Sequence, residues 1–319
     1  MRRSLLLTAV AIFGLGALAV FVAPVAAHAK NNNKSKQHSK DKGSKEDDHS
    51  DGDECKKHSD AETPKDFVAP SVFQAAGPAA SSIQGTVDAF RAALGTPNNA
   101  NAPGPLASGR REINWDGGGV DTTTTPPVTP FDVFLNLRGG RFTTRGTGLS
   151  QGPPTGGPQG GLAGLFGNPS YGTIFTAFSA LRLFTPVDSH VTEGVFFVPG
   201  TNGGTPATVS GFGAVFTDVD QPDGSGSAGK CGDRPGSTRI EYFGASDDDH
   251  EKGKRLFTGF VPASPGDGSL SFLGIIFKDA RIARVRITSG NVDPGPDDDR
   301  KHDVVVMDDF LYGEPQPVQ

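Results

Sequence analysis

Between Arg111 and Gly313 the chain never sustains an apolar or alternating pattern for more than about ten residues before Gly, Pro, Asn or Asp breaks it. The runs begin as REINWD (111–116), FDVFLNL (131–137), RFTTRG (141–146), TIFTAF (173–178), RLFTPV (182–187) and VTEGVFFVPG (191–200). They continue as SGFGAVFTDVD (210–220), STRIEYFG (237–244), KRLFTGFVP (254–262), SLSFLGIIF (269–277), IARVRITSG (282–290) and VVVMDDFLYG (304–313). Strands this short, punctuated this often, can bury a core only by packing sheet on sheet. The pattern predicts an all-β fold, an antiparallel β-sandwich of jelly-roll-like form. IARVRITSG shows the half-buried alternation: Ala283, Val285 and Ile287 on one face, Arg284, Arg286 and Thr288 on the other. The 44 Gly and 25 Pro, over a fifth of the chain, suit a turn-rich sandwich.

One segment breaks the β rhythm. SSIQGTVDAFRAALG (81–95) places Ile83, Val87, Phe90 and Leu94 on one face of a helix. Ser81 or Ser82 is expected to cap its start, and Gly95 and Pro97 to end it. An amphipathic helix has to dock somewhere, so it belongs to the folded domain. QGPPTGGPQGGLAGLFG (151–167) reads as a Gly/Pro loop, because it lacks the GK[ST] of a phosphate-binding loop.

The ends are not sandwich. Met1-Arg2-Arg3, the apolar run Ser4–Val25 and the Ala27-His28-Ala29 site read as a signal peptide over residues 1–29. An uncleaved N-terminal anchor is the rival reading. Residues 30–66 are a charged, apolar-poor linker expected to be disordered. The β-sandwich domain is expected over 67–315, with 316–319 as a tail. The product is therefore expected outside the cell, released or tethered through an uncleaved N-terminal segment, with no other contact with the membrane. The mild net charge of −6 argues against a nucleic-acid partner, and none is expected. Cys55 and Cys231 are too few for a disulfide framework, and a single bridge between them is the alternative to two separate thiols.

Motifs for chemistry are scarce. There is no G-x-S-x-G, and His190-Val191-Thr192-Glu193 lacks the second His of a zinc protease site. The acidic runs TDVDQPDG (217–224), SDDDHE (246–251) and DPGPDDDRKHD (293–303) supply oxygen ligands of the kind Ca²⁺ takes. Asp218, Asp220, Asp308 and Asp309 are the candidate metal ligands, for a structural Ca²⁺. Acidic loops that only keep the protein soluble are the plainer alternative. With 22 Phe but one Trp and three Tyr, platforms for sugar rings are few; Trp115 and Tyr242 are the candidates. Core or rim packing is the competing role for Trp115.

At SGFGAVFTDVD, LSFLGIIF, ARVRITSGN and DVVVMDDFLYGEP, and at INWDGGG, RGGRFTTRGTG and FFVPGT, the chain resembles exported bacterial proteins of the PEP-CTERM-associated type. No activity comes with that resemblance. The closing strand also resembles those of jelly-roll and galactose-binding-like modules, where acidic residues near the last strand often hold calcium. After Gly313 this chain reads EPQPVQ, without the apolar helix and basic cluster of sorted members, so C-terminal sorting is not expected. Together these readings point to a non-catalytic extracellular binding or matrix module, its ligand a cell-surface or extracellular polysaccharide. The alternatives are a secreted polysaccharide hydrolase and a purely structural surface protein.

VVVMDDFLYG sets the sharpest expectation. Strict alternation puts Val304, Val306, Asp308, Phe310 and Tyr312 on one face and Val305, Met307, Asp309 and Leu311 on the other. Both faces are apolar, so the two carboxylates need partners: a cation, Arg284 or Arg286, or backbone N–H groups. A bulge at the pair would turn both toward the sheet edge.

Overall fold

A computed structural model describes residues 69–117, 121–221, 238–246, 253–278, 281–299 and 301–318. The signal segment, the charged linker, both cysteines, Asp223 and the carboxylates of the 247–249 run lie outside the described residues. The chain runs β1 (Ser71–Gly77), α1 (Ala80–Leu94), β2 (Arg110–Ile113), α2 (Leu135–Arg138), β3 (Gly140–Thr143) and β4 (Gly148–Gly152). Then come α3 (Gly161–Phe166), α4 (Tyr171–Ile174), β5 (Leu183–Val187), β6 (Val191–Phe197), β7 (Pro206–Thr208) and β8 (Gly211–Thr217). Last are β9 (Arg239–Phe243), β10 (Arg255–Phe260), β11 (Leu270–Ile276), β12 (Arg284–Thr288), β13 (Val306–Gly313) and β14 (Gln316–Pro317).

The strands form two antiparallel sheets. One has the order β1-β11-β8-β13-β5-β4, with β2 also on β13; the other has β10-β9-β12-β6-β7-β14, with β3 on β6. From β5 onward the chain passes back and forth between them. β5, β8, β11 and β13 fall in the first sheet as β11-β8-β13-β5, and β6, β9, β10 and β12 in the second as β10-β9-β12-β6. That interleaving of two four-stranded sheets is the jelly-roll order. Gln316 and Pro317, expected in a tail, pair with β7 and so belong to the sandwich.

Aromatic rings fill the space between the sheets. Trp115 stacks on Phe184 at 3.7 Å between ring centroids, and Phe131, Phe134, Phe142 and Phe310 meet the indole edge-on. In β12 the expected alternation holds: Val285 and Ile287 are buried, while Arg284 and Arg286 are half-exposed and share Glu193 of β6.

The first sheet is buried on both faces. Ile83, Val87, Phe90 and Leu94 of α1 cover its outer side against Val215, Leu270, Phe272 and Leu311. No side chain caps the helix; Ala79 stands at its start, and Gly95, at φ +114°, closes its end. Phe90 lies over Gly213 and Gly274, which face each other across β8 and β11. A Cβ on Gly274 would stand 2.7 Å from the ring, and one on Gly213 2.8 Å, so the glycine pair is the seat of the helix. Beside it, Leu162, Tyr171, Ile174 and Phe175 pack on Val304 and Val306. Leu162 belongs to α3, Tyr171 and Ile174 to α4, and Phe175 follows α4, where the sequence predicted a plain loop and the strand TIFTAF. FDVFLNL likewise gives α2 and not a strand. Apolar runs that short carry too few turns to separate the two periods.

Gly274→Ala forces Phe90 out of its seat and should destabilise the fold by about 1–3 kcal/mol. The urea unfolding midpoint measures this, and an unchanged midpoint would contradict the packing described.

Candidate functional site

In β13, Met307 pairs with Phe216 of β8, but Phe310 pairs with Ala214. One extra residue is thus inserted at Asp308–Asp309, a β-bulge. The bulge reverses the alternation expected of the strand. Met307, Phe310 and Tyr312 all point into the aromatic core, whereas Val306 and Leu311 face the outer helices. The two aspartates fall in the interruption, 0% and 2% exposed.

Their partners come from three other segments. Asp308 Oδ2 accepts the backbone N–H groups of Phe178 (2.6 Å) and Ser179 (3.2 Å), in the loop between α4 and β5. Asp309 Oδ2 meets Arg91 of α1 at 3.4 Å. The arginine in contact is therefore Arg91, since Arg284 and Arg286 are occupied by Glu193. Asp116, just past β2, accepts the Arg182 N–H on Oδ1 at 3.0 Å.

Each carboxyl turns its other oxygen to one place. Ser179 Oγ lies 2.7 Å from Asp309 Oδ1, 3.3 Å from Asp308 Oδ1, 3.4 Å from Asp116 Oδ2 and 3.4 Å from the Asn114 carbonyl. A hydroxyl has one proton to donate, and the 2.7 Å contact with Asp309 takes it. The Asp308 and Asp309 carboxyls are also hydrogen-bonded to each other, with Asp308 holding the proton. Burial, reinforced by the Asp309 charge, raises Asp308 well above the ordinary carboxyl range. Asp309 is pushed up to about 6 by burial, against the opposing pull of the Ser179 hydroxyl and Arg91. Asp116 is raised, again by burial.

Trp115 holds this arrangement from within. Its indole N–H donates to the Asp308 carbonyl at 3.0 Å. Its backbone has φ +63°, a left-handed conformation that bulky residues avoid and that concentrates at functional positions. The stack on Phe184 and the indole hydrogen bond fix this turn, which delivers Asp116 to the cluster. Trp115 and Tyr242 are both 0% exposed, and Tyr242 donates its hydroxyl to the Phe212 carbonyl. Neither ring faces solvent, so neither provides the sugar platform expected of them; both are core residues.

Asp218 and Asp220 lie in a separate group. They leave the end of β8 beside Asp267, Asp298 and Asp303, three carboxylates outside the set of candidate ligands. Burial and the charges of the other four push Asp218 up to about 9. Asp303 is pushed up to about 7 and Asp298 to about 6, burial being the first cause in both. Nothing in the spacing of three distant acidic loops tells that they meet; only the strand order does. No hydrogen bond among the described residues joins this group to Asp308 or Asp309. Among the described residues, as their side chains stand, no group of three or more His, Cys, Asp or Glu is placed so that it could hold a metal ion. Comparison with protein-family models, curated proteins and solved structures returned no match.

A buried carboxyl that holds its proton more tightly when folded stabilises the fold at low pH and loses that contribution as pH rises through its folded pKa. For Asp309, Asp303 and Asp218 that window extends from the ordinary carboxyl value up through about 6, 7 and 9. In chelator the melting temperature should therefore fall as pH rises across this range, and Asp218→Asn should flatten the upper part of the fall. A midpoint that climbs across the same range would contradict these assignments.

Proposed function

We propose that the chain is an exported, non-catalytic binding or matrix module, a β-sandwich braced by Ca²⁺ at Asp116, Asp308 and Asp309. The observation that carries the reading is the convergence of three carboxylate oxygens and the Asn114 carbonyl on Ser179 Oγ. The donor set contains only oxygen and comes from β13 and the segment after β2, the combination a hard cation takes. Ca²⁺ there would offset the negative charge that burial makes costly, and water would complete its six to eight ligands. The burial of Asp308 and Asp309 also supports a bracing role over catalysis, because a polymer chain cannot reach them.

Export rests on the signal-like sequence of residues 1–29. For the ligand we assign a linear surface or extracellular polysaccharide. The supporting feature is a groove of about 300 Å³ beside the edge strands β1 and β10, lined by Val72, Gln74, Phe257, Thr258 and Phe260 among others. Phe260, 37% exposed, offers an aromatic surface beside polar Gln74 and Thr258.

Ca²⁺ should raise the melting temperature of the chelator-treated protein, and Asp116→Ala should remove part of that increment. An increment of zero, or one that Asp116→Ala leaves whole, would overturn the bracing site. In affinity electrophoresis through cell-surface polysaccharide the protein should be retarded, and Phe260→Ala less so. No retardation in any such polymer, or release of reducing ends from it, would overturn the binding role.

A further inference from the structure

We infer a second Ca²⁺ site at the end of the sandwich where β8 stops and β11 and β13 start, formed by Asp218, Asp220, Asp267, Asp298 and Asp303. It stands independently of the Asp116–Asp308–Asp309 site. The register fixes the place. Thr217, the last residue of β8, pairs with Leu270 of β11 on one side and Val306 of β13 on the other. The three segments just beyond these residues therefore meet side by side. Backbone bonds tie them: Asp218 N donates to the Ser269 carbonyl at 3.0 Å, and Asp220 N donates to Asp303 Oδ1 at 3.2 Å. Gly266 N donates to Asp220 Oδ1 at 2.9 Å, and Val304 N to Asp298 Oδ1 at 2.9 Å.

Two oxygens are left over. Asp218 Oδ2 and Asp303 Oδ2 are buried and have no hydrogen-bond partner, on residues 1% and 0% exposed. Ser269 Oγ, beside Asp218, is a third buried oxygen without one. Among the described residues no salt bridge reaches any of the five carboxylates. Protonation alone does not resolve the arrangement. A neutral carboxyl carries an O–H that needs an acceptor, and neither oxygen has a hydrogen-bond partner in the structure. A divalent cation satisfies both and neutralises the repulsion that raises the proton affinity of Asp218 and Asp303. As they stand the five carboxylates are not close enough together to hold an ion; the site therefore requires Asp220, Asp267 and Asp298, which are partly or fully exposed, to rotate onto it. Asp218 and Asp303 are already fixed at the strand ends. With only oxygen donors and several carboxylates, the site takes Ca²⁺ in preference to a thiophilic or imidazole-binding metal.

The test is calorimetric titration of the chelator-treated full chain with CaCl₂, alongside Asp218→Asn, the exposed-loop variant Asp267→Asn, and Asp116→Asn. Asp218→Asn should bind one ion fewer per chain than the wild type, and Asp267→Asn should weaken the same event about tenfold or more. Asp218→Asn should also melt higher than the wild type in chelator at neutral pH, because it removes the cost of taking up a proton on folding. That measurement shows that a lost binding event is not lost folding. If Asp116→Asn loses an ion while Asp218→Asn and Asp267→Asn bind as the wild type does, this site is overturned and the first stands. If only the Asp116 variant is unaffected, the first site fails and this one stands.

Discussion

The sandwich depends on a single extra residue in its most central strand. β13 lies between β8 on one side and β5 and β2 on the other, with apolar groups on both faces. A regular strand there would point one carboxylate into the aromatic core and the other into the outer helices. The bulge at Asp308–Asp309 removes both from the two apolar faces at once. It lets Met307 and Phe310 share the core side and hands the carboxylates to Ser179 and Arg91. The helices, the Trp115 turn and the α4–β5 loop are arranged around that interruption, and α1 contributes both the ring that seats on the glycine pair and the guanidinium that faces Asp309.

A second buried ion pair works differently. Arg111 of β2 and Glu314, just after β13, form two parallel bonds of 2.6 Å at almost no exposure. Asn99 donates to the same carboxylate, and the Ala100 and Ala102 carbonyls accept from Nη1 of the guanidinium. Every charged atom there has a partner, the condition under which a buried pair is tolerated. The Asp218–Asp303 group lacks that completeness: Asp218 Oδ2 and Asp303 Oδ2 are buried without a hydrogen-bond partner.

Much of the architecture was legible from pattern alone. The helical face of Ile83, Val87, Phe90 and Leu94 and the strands from Leu183 to Gly313 follow from period and punctuation. The need of Asp308 and Asp309 for partners, and the bulge as a solution, were legible too. What pattern could not supply was long-range identity. Arg91 is 218 residues from Asp309, and nothing local distinguishes it from Arg284 or Arg286. The edge strand SVFQAAG has no strong alternation, and β7 and β14 are too short to show any. The convergence of Asp218 with Asp267 and Asp303 is a property of jelly-roll strand order. For Trp115 the sequence left a sugar platform and core or rim packing open, and its left-handed turn carries it into the core.

The position of β13 in the chain also governs the order of assembly. Its partners β2, β5 and β8 are made long before it, and Phe310 must find Ile113 across nearly the whole domain. Until Val306–Gly313 arrives, β8 and β5 have no strand between them, and the Phe184–Trp115 stack lacks the ring that closes it. Contacts this distant in sequence make folding slow and leave early segments unsatisfied during synthesis. A chain built this way completes its first sheet only when its last long strand is available.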